Sequence, residues 1–461
     1  MPTQTVAALA TAAGPAGVAV VRISGPDALA VADRVVQCVG LPPSQRPAGT
    51  FFHATFADGA AGAEAVDDGV VLIFRAPYSY TGEDTVELQG HGGAVVSRQV
   101  LDAVFRAGAQ PAGPGEFTRR AFLHGRLDLT QAEAVLDVIQ AQTARAARAA
   151  REQASGGLRR RVEALYERLT GVCADIEAML DFEEDEIEPR FLETARAEIG
   201  SVAAGAQTLL ATWGEGHVLR DGVLTVIAGR VNAGKSSILN ALLGRQRVIV
   251  SDIPGTTRDT IEEGYNLNGI PLRLADTAGI RDATCAVEQE GIARARQLME
   301  NADWVLYVVD GTVSPNEADR DMVAMLPVER TIVVVNKADR PDCADTATTA
   351  AALNASASVV ITRCSAMTSD GVRPVVEALQ AKLEAALGTH EDVAINQRHA
   401  VELATAGASL RRATGLCASP EGLVLAAIPL REAAEALGRM TGRIYSDDLL
   451  DIVFSRFCVG K

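Results

Sequence analysis

Four short runs carry residue types and spacings suited to phosphate and base chemistry: Gly229-Arg-Val-Asn-Ala-Gly-Lys-Ser236, Pro254-Gly-Thr-Thr257, Asp276-Thr-Ala-Gly279 and Asn336-Lys-Ala-Asp339. The first lies between a predicted strand at 224–228 and a helix beginning near Lys235, the context that a phosphate-binding loop requires. Its glycines, among them Gly234, let backbone N–H groups of Asn232, Ala233 and the following Ser236 and Ser237 approach phosphate oxygens, and the helix N-terminus adds partial positive charge. Lys235 is expected on the β- and γ-phosphates, and the Ser236 hydroxyl on Mg²⁺.

The second and third runs read as switch segments. Thr257 offers a second hydroxyl to Mg²⁺, Asp276 holds that ion through water, and the Gly279 N–H touches the γ-phosphate. Asp252, Pro254, Gly255, Thr277 and Ala278 complete the expected nucleotide contacts. In the fourth run, Asp339 accepts from guanine's N1–H and exocyclic amine, donors that adenine lacks there, so a wrong base leaves the carboxylate unpaired. Asn336, Lys337 and Ala338 frame the base, and Ser365, Ala366 and Met367 sit where a further backbone contact is expected. Together the four runs imply binding and hydrolysis of GTP. One position departs from Ras-like proteins, which carry a water-orienting glutamine just after DxxG. Here it is Ile280, which has no hydrogen-bonding group. Asn232, whose amide oxygen can ligate a monovalent cation, and Glu288 are candidates to replace that function. By its position alone, Glu288 also reads as a surface helix carboxylate.

These runs need a doubly wound α/β domain to hold them. Val- and Ile-rich strands at 224–228, 271–275, 303–309, 331–335 and 358–362 alternate with helical segments. Before them, residues 1 to about 120 mix strands (18–23, 69–74, 85–88) with Gly/Pro turns and a helix at 94–107, an α+β pattern. A capping box is read at Thr130-Gln-Ala-Glu133. Apolar stripes at helical spacing then run from Leu158 to Met179 and from Leu192 to Trp213. Helical character returns at 396–415, 430–440 and 447–457. The organisation expected is an N-terminal domain at 1–122, a helical domain in two parts at 123–217 and 385–461, and a GTPase domain inserted at 218–384.

Composition bounds the partners. With 461 residues and 48% hydrophobic content, the chain has ample material for several cores. No apolar run approaches the roughly 20 residues of a membrane helix, so no membrane partner is expected. The N-terminus lacks a charged region followed by an apolar stretch, so no secretory leader is expected. Seven cysteines without metal spacing suit a reducing cytosol. A net charge of −16 argues against broad nucleic-acid binding. Local basic runs at Arg145, Arg148, Arg151 and Arg159 to Arg161 read as solvated helix faces.

Further motifs lie outside the GTPase runs: Val21-Arg-Ile-Ser-Gly-Pro26, Tyr80-Thr-Gly-Glu-Asp84, Glu87-Leu-Gln-Gly-His-Gly-Gly93, Pro114-Gly-Glu-Phe-Thr118, Arg126-Leu-Asp-Leu-Thr-Gln-Ala-Glu133 and Phe457-Cys-Val-Gly-Lys461. On these the chain resembles, over essentially its full length, the MnmE (TrmE) family of tRNA modification GTPases, of the TrmE-Era-EngA-YihA-Septin-like class. The resemblance implies an N-terminal domain that forms a homodimer and binds 5-formyl- or 5,10-methylene-tetrahydrofolate, with contacts on Arg22, Glu87, Arg126 and Lys461. It implies potassium in the GTPase site, held by the Asn232 side chain, the Ser251 and Ile253 carbonyls and Thr256, with Glu288 orienting the attacking water. It also implies an FAD-dependent MnmG/GidA-type partner, with which the family adds an aminomethyl or carboxymethylaminomethyl group to C5 of the wobble uridine (U34) of certain tRNAs. Cys458 matches the family's C-terminal cysteine, suspected of a catalytic part. The chain departs from the family at Thr11–Gly17, commonly a Pro-Pro-Gly-Arg-Gly-like stretch, and at Val231, frequently proline. Two other readings remain: an Era- or Der-like switch in ribosome assembly that modifies nothing, and a folate-dependent aminomethyltransferase with a regulatory GTPase.

Overall fold

The computed structural model describes residues 4–58, 64–179, 188–246, 262–276, 296–368, 370–386 and 395–461. The chain divides into two compact units. One comprises Met1–Leu136, Ala154–Glu183 and Ala427–Lys461, and the other Asp137–Gln153 and Glu184–Ala426.

The first unit is built on a sheet of β1 (Val6–Leu9), β2 (Ala19–Ser24), β3 (Val36–Gln37), β4 (Phe51–Ala57), β5 (Ala65–Phe74), β6 (Thr85–Gly90) and β7 (Gln110–Pro111), in the order β3-β4-β5-β6-β2-β1-β7. All pairs are antiparallel except β1 with β7. Alternation of side chains along β2 decides what faces where. Val21 and Ile23 are buried in a core shared with the helices Ala28–Val35 and Ala94–Arg106. Arg22, between them, is turned to the other face, directly opposite Glu87 of β6 in the register. Each fully buried Val or Ile contributes about 1.5–3 kcal/mol, so a one-residue slip, which would also bring Arg22 into the core, is strongly disfavoured.

A buried ionic network pins the turn before β6. Arg120, 2% exposed, donates to Glu83 Oε2 and Glu116 Oε1, each at 2.9 Å, and to the Gln4 carbonyl at 2.9 Å. The Ser24 hydroxyl donates to the same Glu83 oxygen at 2.8 Å. The Tyr80–Asp84 run is thereby explained as scaffold: Glu83 anchors it inward, and Asp84 accepts from the Ala76 N–H at 2.9 Å.

The last helix, Asp447–Phe454, is capped by Ser446, whose oxygen accepts from the Leu449 N–H. It packs on the helix Glu116–Leu123 through a cluster including Phe122, Leu450, Phe454 and Phe457. This packing delivers the chain's final residues to the sheet. The Gly115 N–H donates to the Cys458 carbonyl at 3.4 Å and the Phe117 N–H to a Lys461 oxygen at 3.1 Å. At Gly460, φ is +101° and a side chain would collide with the Leu9 carbonyl, so only glycine lets the tail lie this close.

The second unit holds a six-stranded sheet of β8 (Val223–Gly229), β9 (Glu262–Leu267), β10 (Ile270–Asp276), β11 (Trp304–Asp310), β12 (Thr331–Asn336) and β13 (Val360–Arg363), in the order β13-β12-β11-β8-β10-β9. It is parallel except for the β9–β10 hairpin. Apolar cores cover both faces, which explains the continuous Val/Ile runs of β11 and β12. In the same unit the helices Pro189–Ala211 and Gln397–Leu416 pack on each other.

Three local expectations are corrected. The cap of the helix Leu129–Gln140 is Asp128, not Thr130. Asp128 Oδ1 accepts from the Gln131 N–H at 2.9 Å, and Gln131 Oε1 accepts in return from the Asp128 N–H at 3.2 Å. The box therefore begins two residues earlier, and the Thr130 hydroxyl donates to Asp128 instead of capping. Trp213 leaves the 192–209 stripe and opens a separate helix, Trp213–Asp221. The helix expected at 430–440 already starts at Pro420 and continues through Pro429. Proline weakens the sequence signal for helix without forbidding it where packing holds the backbone.

Candidate functional sites

The C-terminal ends of the parallel strands bring the first and fourth nucleotide runs and Asp276 together, as expected of an open α/β sheet. β8 runs into the phosphate loop and the helix Lys235–Gln246. β10 ends at Asp276, β12 at Asn336, and Ser365 follows β13. Ser236 Oγ donates to Asp276 Oδ2 at 2.7 Å, so two hard oxygen ligands converge near the start of the helix. Lys235 is 7% exposed, and its ammonium is held by the loop carbonyls of Gly229 and Arg230 at 3.0 and 2.9 Å.

Asn336 ties the base-reading run to the phosphate loop. Its Nδ2 donates to the Ala233 carbonyl at 2.9 Å, and its Oδ1 accepts from the Ala366 N–H at 3.3 Å. Gly234 lies beneath it at φ +93°, where any side chain would collide with Asn336 Nδ2. Ser365 Oγ donates to Asp339 Oδ1 at 2.6 Å, and this bond is the first cause holding the exposed Asp339 carboxyl below its ordinary value. The Met367 N–H in turn donates to Ser365 Oγ at 3.3 Å, and the Ala338 N–H to the Cys364 carbonyl at 2.9 Å. Ser237 follows Ser236 on the exposed side of its helix. Two non-glycine residues here are left-handed, Asn232 at φ +64° and Lys337 at φ +66°. Such backbone costs on the order of 1–3 kcal/mol and clusters at ligand clamps. Lys337 Nζ reaches Asp310 Oδ2 at 2.5 Å, a pairing that sequence reasoning missed because Asp310 ends a strand outside the four runs. Burial raises the Asp310 carboxyl, but the bonds from Lys337 and Thr312 outweigh it and leave it lowered. Ser251, Asp252, Ile253, Pro254, Gly255, Thr256, Thr257, Thr277, Ala278, Gly279 and Glu288 lie outside the described residues.

The first unit has its own charged cluster. Arg22 Nε and Nη2 both reach Glu87 Oε1 at 2.9 Å, with side chains 16% and 15% exposed. The guanidinium lies 5.6 Å from the Tyr80 ring centre and 5.4 Å from that of Phe117. Tyr80 donates to or accepts from Thr118 at 2.9 Å, and burial raises its phenol, partly opposed by Thr118 and Arg22. Burial and then the charge of Arg22 push the Lys461 ammonium below the ordinary lysine value, while Glu87 and Cys458 pull the other way. Phe117, whose ring lies under Arg22, also donates its backbone N–H to Lys461, so Arg22, Glu87 and Lys461 share one neighbourhood, with the exposed Cys458 three residues before Lys461. Arg126 is exposed, its stem beside Gly82, and no described contact joins it to the other three. Tyr80, Phe117 and Thr118 were not singled out from the sequence. Their signal was present, since each lies within a quoted motif, but nothing in a linear motif says which members meet in a cluster.

The family description "GTP-binding protein TrmE N-terminus" matches residues 5–126, and "MnmE helical domain" matches residues 129–458. A protein of Geobacter sulfurreducens named tRNA modification GTPase MnmE is 42% identical over 464 residues, covering 99% of each chain. One of the same name from Symbiobacterium thermophilum is 42% identical over 462 residues, again covering 99% of each. The chain belongs to the MnmE family. The N-terminal match contains Arg22, Glu87 and Arg126, and the second match contains all four nucleotide runs. The class expected from the sequence is the one observed: an α+β N-terminal domain, helices, and a doubly wound sheet carrying the phosphate loop. No helix among the described residues is long and apolar enough to cross a membrane.

Proposed function

We propose that this protein hydrolyses GTP in the service of tRNA modification, in the cytoplasm. The observation that carries the reading is the closure of the base-reading run onto the phosphate loop through Asn336, within a chain alike over its whole length to proteins named for that activity. Mass spectrometry of tRNA nucleosides from a deletion strain tests it. Loss of a C5-modified wobble uridine is expected, and an unchanged nucleoside profile would leave the Era- or Der-like switch as the better account.

The finer proposal has three parts. Mg²⁺ would be held by Ser236 and Thr257, with Asp276 behind it, and would neutralise charge developing on the phosphates. The converging Ser236 and Asp276 oxygens suit a hard cation. K⁺ would be held by Asn232, Ser251, Ile253 and Thr256, with Glu288 orienting water where Ile280 cannot. The left-handed Asn232 backbone supports this part. Exchanging K⁺ for Na⁺ should slow GTP turnover at least tenfold, and Asn232→Ala should erase the difference. Equal rates in both salts would rule the cation out.

The third part concerns the N-terminal cluster. A 5-formyl- or 5,10-methylene-tetrahydrofolate would bind there, supplying the one-carbon unit. Lys461 and Arg22 fit its carboxylates and Glu87 fits the pterin's donors, with Arg126 as a fourth contact. Cys458, exposed beside Lys461, is proposed to act on the one-carbon chemistry. A homodimer formed through the N-terminal domain, working with an FAD-dependent MnmG/GidA-type protein on U34, completes the proposal.

A further inference from the structure

Lys337 is held in a conformation that a lysine does not choose for itself. It follows β12 at φ +66°, a left-handed backbone that persists in a non-glycine residue only where its surroundings over-determine it. Its ammonium is tied down as well. Nζ reaches Asp310 Oδ2 at 2.5 Å, with the two side chains 36% and 21% exposed.

The anchor is more rigid than the side chain it holds. Asp310 ends β11 directly opposite Asn336 of β12 in the register. Its other oxygen, Oδ1, accepts from the Thr312 N–H at 3.0 Å and from the Thr312 hydroxyl at 2.7 Å. The next residue, Gly311, donates its N–H to the Asn336 carbonyl at 3.0 Å, and a side chain there would collide with Cys343 Sγ. The turn carrying Asp310 is thus fastened to the start of the base-reading run itself. Asp310 also lines a cavity of about 220 Å³ together with Asn232 and Ala233 of the phosphate loop. It therefore lies between the two runs that must close on one nucleotide.

On the reading of residues 336–339 as the guanine-binding run, on which this rests, we propose that Asp310 is a positioning residue for nucleotide binding: by holding the Lys337 ammonium, it fixes the arch of that side chain before guanine arrives. A free lysine has many rotamers, and ordering them at the moment of binding weakens affinity. Asp310 does that ordering in advance. It acts through Lys337 and not on the γ-phosphate, so its effect falls on affinity and not on the chemical step.

The test measures binding of a fluorescent GDP analogue and turnover of GTP by the full chain and its variants. In Asp310→Ala, affinity should fall about tenfold, the low end for one charged hydrogen bond because the pair is partly exposed. Meanwhile kcat at saturating GTP should stay within about twofold. Asp310→Asn, which still offers an oxygen to Lys337, should lose less. Thr312→Val removes one bond to Asp310 without touching Lys337, and affinity should stay as in the unmodified protein. In a Lys337→Met background, Asp310→Ala should cost nothing further, because the two side chains act as one unit. Unchanged affinity in Asp310→Ala, an equal loss in Thr312→Val, or an undiminished loss in the Lys337→Met background would each overturn the proposal. If the unmodified protein binds GDP and Asp310→Ala binds it equally well, only the role of Asp310 falls; if neither binds, the guanine-binding run falls with it.

Discussion

The phosphate-binding loop and the Arg22 cluster are both charged sites, yet they are assembled in opposite ways. The loop is almost contiguous. From Gly229 to Ser236 a single strand-to-helix turn sets the geometry, and Asn336 locks it from one distant position. The cluster draws Arg22, Tyr80, Glu87, Phe117 and Lys461 from across the first unit. Its geometry is therefore hostage to the packing of the sheet, of the Glu83–Arg120 network and of the last helix. A site made by local backbone geometry can be damaged residue by residue, whereas one made by long-range packing fails when its scaffold does.

The largest effect expected tests that scaffold. Glu83→Ala leaves the nearly buried Arg120 guanidinium without its main partner, a loss worth about 3–5 kcal/mol when a buried pair is broken. Denaturant unfolding should show the first unit destabilised. If stability falls by less than 1 kcal/mol, the network is not what holds the cluster. Next comes Lys235→Ala, with turnover of GTP expected to drop roughly 10²- to 10³-fold and the fold unchanged by circular dichroism. Near-normal phosphate release would show the loop is not the seat of hydrolysis.

Asp339→Asn should shift base preference from guanine toward xanthine by about a hundredfold, because the amide donates where the carboxylate only accepted. Comparing GTP and XTP turnover measures it, and unaltered selectivity would remove Asp339 from base reading. The smallest effect expected is Arg22→Ala, which should weaken 5-formyl-tetrahydrofolate binding about tenfold, the worth of one charged hydrogen bond, with GTP turnover intact. Isothermal titration would show it. Unchanged affinity would mean that the cluster is a structural ion pair and nothing more.

Legibility followed the same division. The strands of the second unit could be read because burial on both faces leaves unbroken Val/Ile runs, and Gly234 could be read because only a residue without Cβ fits beneath Asn336. The cap at Asp128 was misread two residues late, since Thr130 and Glu133 have the same spacing as Asp128 and Gln131 and only the hydrogen bonds distinguish them. The Lys337–Asp310 pair and the aromatic walls around Arg22 were not legible, because no spacing rule links residues on separate strands and loops.

By itself the sequence determined the chemistry available: a lysine and serine at a helix start, a carboxylate able to read guanine, and an alternation that puts Arg22 on the face away from the core. Such features depend on residue type and on the short-range periods of strand and helix, which the chain carries locally. The tertiary structure alone decided which distant charges meet. Arg22 faces Glu87 through sheet register, and Lys461 joins them because the last helix packs on Glu116–Leu123 and Gly460 lets the tail lie against β1. Electrostatic neighbourhoods of that kind arise from the summed burial of many side chains, a quantity no short stretch of sequence contains.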